Sequence, residues 1–185
     1  MTKELIADAK QRMDASIETV RRELAGLRSG RASLSILDGV RVDYYGTPTP
    51  LTQVANLQTP DATLITIQPW DPKMLPLIEK AVRISDPDLN PQNDGKVIRI
   101  PIPPLTEERR KSLVKHAHKH AEDGRVAVRN VRRDVNDQLK KLLKEHKVSE
   151  DDEKQAVAEV QKLTDFHVER INEILKKKET DIMST

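Results

Sequence analysis

The sequence predicts an α+β fold, in which an antiparallel three-helix bundle is interrupted by a small inserted β/α/β domain. All eleven prolines lie between Pro48 and Pro104, and a proline costs about 3 kcal/mol inside a helix. In the proline-free ends the apolar residues recur every three or four positions, whereas in the middle they alternate. These two observations predict the order helix, compact insert, helix, helix.

The first predicted helix runs from about Thr2 to about Ser29 and is expected to end at Gly30. Its apolar residues fall on one face because they are separated by steps of three and four. These residues are Ile6, Ala9, Met13, Ile17, Val20, Leu24 and Leu27.

Two further helices are predicted after the insert. One begins at Thr106, a helix-capping residue that is followed by two acids, and it carries a stripe of Val114, Ala117, Ala121, Gly124, Val128, Val131, Val135, Leu139 and Leu142. The next begins at Ser149, ends in Lys176–Lys178, and carries Val157, Val160, Leu163, His167, Ile171 and Ile174. A single narrow apolar stripe cannot be buried by one helix alone, so the three helices are expected to pack together.

The insert combines predicted strands with one short helix. Val40–Tyr45, Thr63–Gln68 and Val97–Ile102 alternate as strands do, and Gly46–Pro50 is a predicted turn region. Met74–Ile84 has the spacing of a helix. These segments predict a small α/β domain over residues 31–104, inserted into a bundle formed by residues 1–29 and 106–185.

Because the domain is inserted, the chain crosses between the two domains twice. A pair of short connections can act as a hinge with a restricted axis, and a rigid double connection is the alternative. The predicted hinge lies near 30–31 and 103–106, with the residues Gly30, Arg31, Pro103, Pro104, Leu105 and Thr106.

Positive charge is concentrated on the second bundle helix. The chain has a net charge of +2, but residues 106–147 carry 13 basic and 7 acidic residues. Four arginines lie within an arc of about 100° on this helix, with Asp134 and Asp137 as the acids close downstream; the four are Arg125, Arg129, Arg132 and Arg133. Arginine suits phosphate groups, so this face predicts RNA backbone binding without base readout, and Arg28 and Arg31 could extend it. A solvated face with local ion pairs is the alternative.

Several classes of function have no support in the sequence. There are no cysteines and only four aromatic residues, so thiol chemistry and a pocket that stacks several bases are not expected. No phosphate-binding glycine loop and no serine nucleophile motif is present, and an enzyme is therefore not predicted. His116 and His120 share a helix face, but the neighbouring lysines and the absence of a third ligand argue against a metal. We expect no cofactor.

The N-terminal residues enter a charged amphipathic pattern directly, and no apolar run is long enough to cross a membrane. A cytoplasmic protein that does not contact membranes is expected. We expect it to be a monomer.

Four segments in order resemble the bacterial ribosome recycling factor family. They are Leu27–Ser33 (LRSGRAS), Tyr44–Leu51 (YYGTPTPL), Pro101–Lys111 (PIPPLTEERRK) and Arg125–Asp134 (RVAVRNVRRD). The resemblance covers the whole chain. It implies an L-shaped molecule whose long arm is the helical bundle and whose short arm is the inserted domain, joined by a flexible elbow.

The resemblance also implies a function and a set of site residues. Members of this family act after termination with elongation factor G and GTP to split the ribosome into subunits, which frees messenger and transfer RNA. The long arm is expected to lie on large-subunit ribosomal RNA and the short arm to meet elongation factor G. Carried over by position, the arginines that face RNA are Arg28, Arg110, Arg129 and Arg132.

Two other interpretations of the sequence are a general protein that binds or remodels structured RNA and a coiled-coil adaptor. The first predicts salt-sensitive binding to any structured RNA, and the second predicts self-association.

Gly124 interrupts the stripe just before the arginines. As a glycine inside a helix it is expected to cost about 1 kcal/mol relative to alanine and to soften the helix.

Overall fold

The computed structural model describes residues 1–27 and 30–184, and the chain divides into two compact units. One unit consists of residues 1–29 and 107–184, and the other of residues 30–106. The described residues form four α-helices: α1 (Thr2–Ala25), α2 (Leu75–Ser85), α3 (Glu107–Lys144) and α4 (Glu150–Met183).

Helices α1, α3 and α4 pack side by side in the first unit. Helix α3 runs antiparallel to the other two, because Arg12 of α1 contacts Asp134 whereas Glu23 contacts His120. Between the helices lies a core of small and aliphatic side chains, which fits the low aromatic content. The prediction of an α+β fold with a three-helix bundle is confirmed.

The buried stripes agree closely with the predicted ones in α1 and α3 and are offset in α4. Ala9, Met13, Ile17, Val20 and Leu24 are buried in α1. In α3 the buried residue nearest the N-terminus is Leu113 rather than Val114. In α4 the predicted Val157, Leu163 and Ile174 are only partly buried. The buried residues of α4 are Ala156, Val160, Thr164, His167, Ile171, Leu175 and Ile182.

Two predicted helix ends are wrong. Helix α1 ends at Ala25 rather than near Ser29, because Gly26 and Leu27 close a tighter final turn in which the Leu27 N–H donates to the Leu24 carbonyl at 3.1 Å. Helix α4 continues past Lys178 to Met183, which buries Ile182 completely. The predicted cap at Ser149 is confirmed, since its hydroxyl accepts from the Asp152 N–H at 3.1 Å.

The second unit contains a hairpin, a four-stranded sheet and α2. All strand pairs are antiparallel; β1 pairs with β2, and the larger sheet has the order β3-β4-β6-β5. Buried side chains of α2, β1, β4 and β6 belong to one hydrophobic core. The strands are β1 (Arg41–Tyr44), β2 (Thr47–Pro50), β3 (Ala55–Asp61), β4 (Leu64–Pro69), β5 (Gln92–Asn93) and β6 (Ile98–Pro101).

The turn region predicted over Gly46–Pro50 contains the strand β2. The turn itself is shorter and uses Tyr45 and Gly46, whose φ values of 50° and 84° suit a tight hairpin. Proline cannot donate to a sheet, and Pro48 and Pro50 are accommodated because β2 pairs with β1 alone.

Candidate RNA-binding face and hinge

Two of the four arginines predicted from the helical period contact α4. Arg125 contacts Asn172 of α4 and Arg132 contacts Gln161 of α4. We call Arg125, Arg129, Arg132 and Arg133 the arginine face. The cluster is therefore a surface of the bundle, but its members have different surroundings.

Arg125 is held in place by protein groups. Its Nε donates to Asn172 Oδ1 and its Nη1 donates to Glu122 Oε2, both at 2.9 Å. Only 18% of its side chain is exposed. The guanidinium of Arg125 therefore joins α3 to α4 and has little free surface for an external phosphate.

Glu122 is a member of this site that the sequence interpretation did not include. It also lies 3.4 Å from Arg129. The hydrogen bond from Arg125, together with the charges of Arg125 and Arg129, holds the pKa of the Glu122 carboxyl below its ordinary value. The spacings of three and seven residues from these arginines are the sequence signal that could have found it. Asp134, named from sequence as a neutralising acid, instead bonds Arg12 of α1 at 2.8 Å.

Arg132 and Arg133 carry the more available positive charge. Arg132 Nη1 donates to the neutral side chain of Gln161 at 3.3 Å, and Gln161 in turn donates to Asp165 at 2.9 Å. Arg133 is exposed and has no ion-pair partner among residues 1–27 and 30–184. Arg129 keeps 43% of its side chain exposed. The open part of the arginine face thus consists of Arg129, Arg132 and Arg133.

The other predicted arginines have different positions. Arg110 lies in the first turn of α3 and is half-buried, and its buried Nε has no hydrogen-bond partner within the described part of the chain. Arg31 is exposed and belongs to the second unit. Arg28 lies outside the described residues.

Two of the three histidines of α3 contact neighbouring helices. His118 pairs with Glu179 of α4, and His120 Nδ1 lies 2.9 Å from Glu23 Oε2 of α1. Within the described ranges, no group of three potential ligands is arranged to hold a metal ion. These contacts give the histidine cluster a role in packing.

Both connections to the second unit are fastened at one turn. The Ala32 N–H donates to the carbonyl of Ala62, and the Ile102 N–H donates to the carbonyl of Thr63, each at 2.7 Å. Ala62 and Thr63 are adjacent residues between β3 and β4. These two bonds tie residues 32 and 102 to the sheet, and the predicted hinge residues 30–31 and 103–106 lie just outside them.

Gly30 and Leu105 bring the two connections into contact. Gly30 is buried with φ +76°, and a Cβ atom at this position would lie 2.7 Å from Leu105 Cγ. An L-residue with a side chain would be strained here for both reasons. Gly30 is therefore a packing position between the two connections rather than a helix stop.

Comparison with known proteins gives one consistent result. The family model described as "Ribosome recycling factor" matches residues 20–183. The chain belongs to the ribosome recycling factor family. The ribosome-recycling factor of Nitratidesulfovibrio vulgaris is 58% identical over 179 residues, which are 97% of this chain and 96% of that protein. That of Symbiobacterium thermophilum is 50% identical over 183 residues, 99% of each chain.

Two solved structures of ribosome recycling factors resemble this chain. A solution structure has a TM-score of 0.79 and 41% identity, and the match covers 100% of this chain and 98% of that one. The T. thermophilus factor, described with E. coli elongation factor G on the E. coli post-termination complex, has a TM-score of 0.64 and 48% identity, with 98% of each chain covered. The family assignment made from the four motifs is confirmed. No described helix is long and apolar enough to span a lipid bilayer.

Proposed function

We propose that this chain splits the post-termination ribosome into subunits together with elongation factor G and GTP, releasing messenger and transfer RNA. Membership of the ribosome recycling factor family supports this function. The T. thermophilus relative, described with elongation factor G on a post-termination complex, supports the choice of partner. The structural feature that carries the proposal is the open arginine surface on α3.

In this proposal, Arg129, Arg132 and Arg133 bind phosphates of large-subunit ribosomal RNA. Three guanidinium groups on one helix offer positive charge and hydrogen-bond donors to backbone phosphates without reading bases. Arg125 acts indirectly, because its bonds to Glu122 and Asn172 fix the helix surface that presents the others. Arg28 and Arg110 remain proposed contacts on the basis of the family resemblance, and Arg31 remains one because it extends the positive charge beside the proposed hinge.

The two connections form the proposed hinge. The bonds at Ala32 and Ile102 confine any bending to the few residues outside them. Gly30 and Leu105 lie together there, so a change of angle would move both connections as a pair. Such a hinge would let the second unit respond to the GTPase while the bundle stays on RNA.

The chain would supply no catalytic step of its own. GTP hydrolysis belongs to elongation factor G in this scheme, and this chain acts as a non-enzymatic factor in the cytoplasm, where it meets ribosomes as a monomer. It would need neither a cofactor nor a metal.

Light scattering of post-termination ribosomes tests the function. The chain, elongation factor G and GTP are added separately and then together, and scattering should fall only when all three are present. Co-sedimentation with ribosomes is measured in parallel. Binding without splitting would favour a general structured-RNA-binding protein and would overturn the proposal.

Two arginine variants, one on the arginine face and one control, test the proposed contact surface. Arg132→Ala should weaken ribosome binding by about tenfold and leave helicity unchanged. Arg170→Ala is the matched control, because Arg170 is exposed on α4, where it pairs with Glu173. Equal binding of the two variants would contradict the role of the arginine face.

A further inference from the structure

A second surface of the bundle lies in the groove between α1 and α4. The groove has a volume of about 420 Å³, and its apolar lining consists of Ile6, Ala7 and Leu163. Asp14 of α1 contacts His167 of α4. The two helices run parallel to each other, because each is antiparallel to α3: Arg12 of α1 contacts Asp134 of α3, and Asn172 of α4 contacts Arg125 of α3. This groove is distinct from the arginine face, which lies between α3 and α4.

The rim of the groove is basic and its charges are unpaired. Lys3, Lys10 and Lys162 line it together with a single acid, Glu159. None of the three lysines forms an ion pair with any residue that the structure describes. This surface has an apolar floor with three unpaired lysines around it. It is complementary to a partner surface whose centre is apolar and whose edge is acidic.

Phe166 extends the apolar surface along α4. It lies three residues after Leu163 and four after Lys162, so it shares their side of the helix. It is the only phenylalanine in the chain, and 65% of it is exposed. On the same side of α4 as the groove, this ring adds apolar area for a partner to cover.

We propose that this groove receives an amphipathic helix of a protein in the post-termination complex, with apolar side chains in the groove and carboxylates opposite the lysines. A groove between two helices accepts the side-chain ridge of a third helix. Double-stranded RNA offers phosphates for the lysines but no aliphatic side chains for the floor, so the apolar lining favours protein. The inference rests on the proposed function, since the partner is a protein of the post-termination complex.

Site-specific photo-crosslinking in the full chain tests this inference. Phe166→p-benzoylphenylalanine places the probe at the edge of the groove, and the variant is bound to purified post-termination ribosomes with elongation factor G before irradiation. The expected product is an adduct with a helical segment that is rich in Asp and Glu. The comparator is Val126→p-benzoylphenylalanine, because Val126 is 44% exposed beside the arginine face and should give an adduct with ribosomal RNA.

Charge reversal on the rim should reduce that adduct. Lys10→Glu with Lys162→Glu is expected to lower its yield about tenfold, whereas Lys154→Glu with Lys177→Glu, an equal change at exposed positions of α4, should leave it unchanged. An adduct of position 166 with RNA or with a second copy of the chain, or no adduct above background, would overturn the inference. Loss of co-sedimentation before irradiation would instead identify a failure of the proposed function, and the inference would fall with it.

Discussion

Arg125 and Arg133 lie eight residues apart on α3 and have opposite surroundings. Arg125 is largely buried and bonds Asn172 and Glu122, whereas Arg133 is exposed and has no ion-pair partner in the described chain. The same residue type therefore contributes to the stability of the bundle at one position and offers free charge at the other. A helical wheel gives both arginines the same apparent role.

Replacing these two arginines should separate stability from binding. Arg125→Gln should lower the free energy of unfolding by about 1.5–3 kcal/mol, because two hydrogen bonds from a charged, mostly buried group are lost. Arg133→Gln should change it by less than about 0.5 kcal/mol and should instead reduce the salt dependence of ribosome binding. Urea unfolding and binding at several salt concentrations measure the two effects. Equal loss of stability in both variants would contradict this assignment.

The expected softening of α3 explains only part of the role of Gly124. Alanine at this position would place its Cβ 2.3 Å from Val20 Cγ2 and 3.3 Å from Ile171 Cδ1. Val20 is β-branched and has one strongly preferred rotamer in a helix, so its methyl group cannot easily move aside. The glycine therefore allows the three helices to approach one another.

Gly124→Ala should consequently destabilise the bundle although alanine is the better helix former. The gain of about 1 kcal/mol in helix propensity is outweighed by an overpacking cost of about 1–3 kcal/mol. Thermal unfolding should show a lower midpoint, and Val20→Ala in the same chain should recover part of the loss. Gly26→Ala is the control, since its Cβ would meet Glu23 O at 3.4 Å and Arg22 O at 3.7 Å, both ordinary contact distances. A stabilised Gly124→Ala protein would contradict the packing argument.

At the scale of secondary structure, periodicity was a good guide to the helices and a poor guide to three strands. The stripes of α1, α3 and α4 are long, so one face is marked many times over. Strand β3 is an edge strand that is mostly exposed and contains Pro60, and β5 has only two residues, so neither shows alternation. Strand β2 has two prolines and resembles a turn in sequence.

The candidate site, like the secondary structure, was predictable only in part. The helical period placed the arginines on one arc, because that depends on α3 alone. The division between Arg125 and the open arginines depends on Asn172 and Gln161 of α4, which are 47 and 29 residues distant in sequence. Such pairings arise from packing between helices and leave no local sequence signal.

The turn before β6 depends on one carboxylate. Asp94 Oδ1 accepts from the N–H groups of Lys96 and Val97 at 2.9 and 2.8 Å, and Arg99 donates to its other oxygen. The two backbone hydrogen bonds, with a smaller contribution from Arg99, lower the pKa of Asp94 to about 2. Because the pKa is depressed in the folded state, this stabilisation is present above the unfolded value of 3.8 and is lost as the pH falls from there toward 2.

Asp94→Asn should therefore reduce the acid sensitivity of the second unit. The variant should be less stable than the native chain at pH 6 and closer to it at pH 2.5, because the native carboxylate loses its advantage when protonated. Urea unfolding followed by the fluorescence of Trp70, the only tryptophan, reports on this unit. Asp88→Asn is the control, since the exposed Asp88 carboxylate accepts no hydrogen bond from a described residue. A constant difference between Asp94→Asn and the native chain at both pH values would refute the link to protonation.

At the scale of the whole molecule, the proposed function relies on two linked units joined by a hinge. The Ala32 and Ile102 N–H groups donate to adjacent residues of one turn and so tie both connections to the second unit. Beyond them, Gly30 packs on Leu105. In the proposed hinge, a single methyl group added at this contact should alter the motion of the hinge. It should not touch the RNA-binding surface.

Gly30→Ala is the sharpest test of the hinge. The residue must keep φ near +76° and its Cβ would lie 2.7 Å from Leu105 Cγ, so the alanine is strained by about 1–2 kcal/mol before the steric clash is counted. We expect ribosome binding through the arginine face to persist and splitting with elongation factor G and GTP to slow at least about tenfold. Leu105→Ala in the same chain removes the clash and should restore part of the rate.

Gly46→Ala provides the matched control for that experiment. Gly46 also has a positive φ, of 84°, but a Cβ there would meet nothing within 4 Å, and the residue lies in the β1–β2 turn. Alanine at position 46 would therefore have the same kind of backbone strain as alanine at position 30. It would not disturb the contact between the two connections. If Gly30→Ala and Gly46→Ala slow splitting equally, or if Gly30→Ala splits ribosomes at the native rate, the connection at Gly30 and Leu105 is not the hinge. A loss confined to Gly30→Ala and relieved by Leu105→Ala would locate the moving contact at this pair of residues.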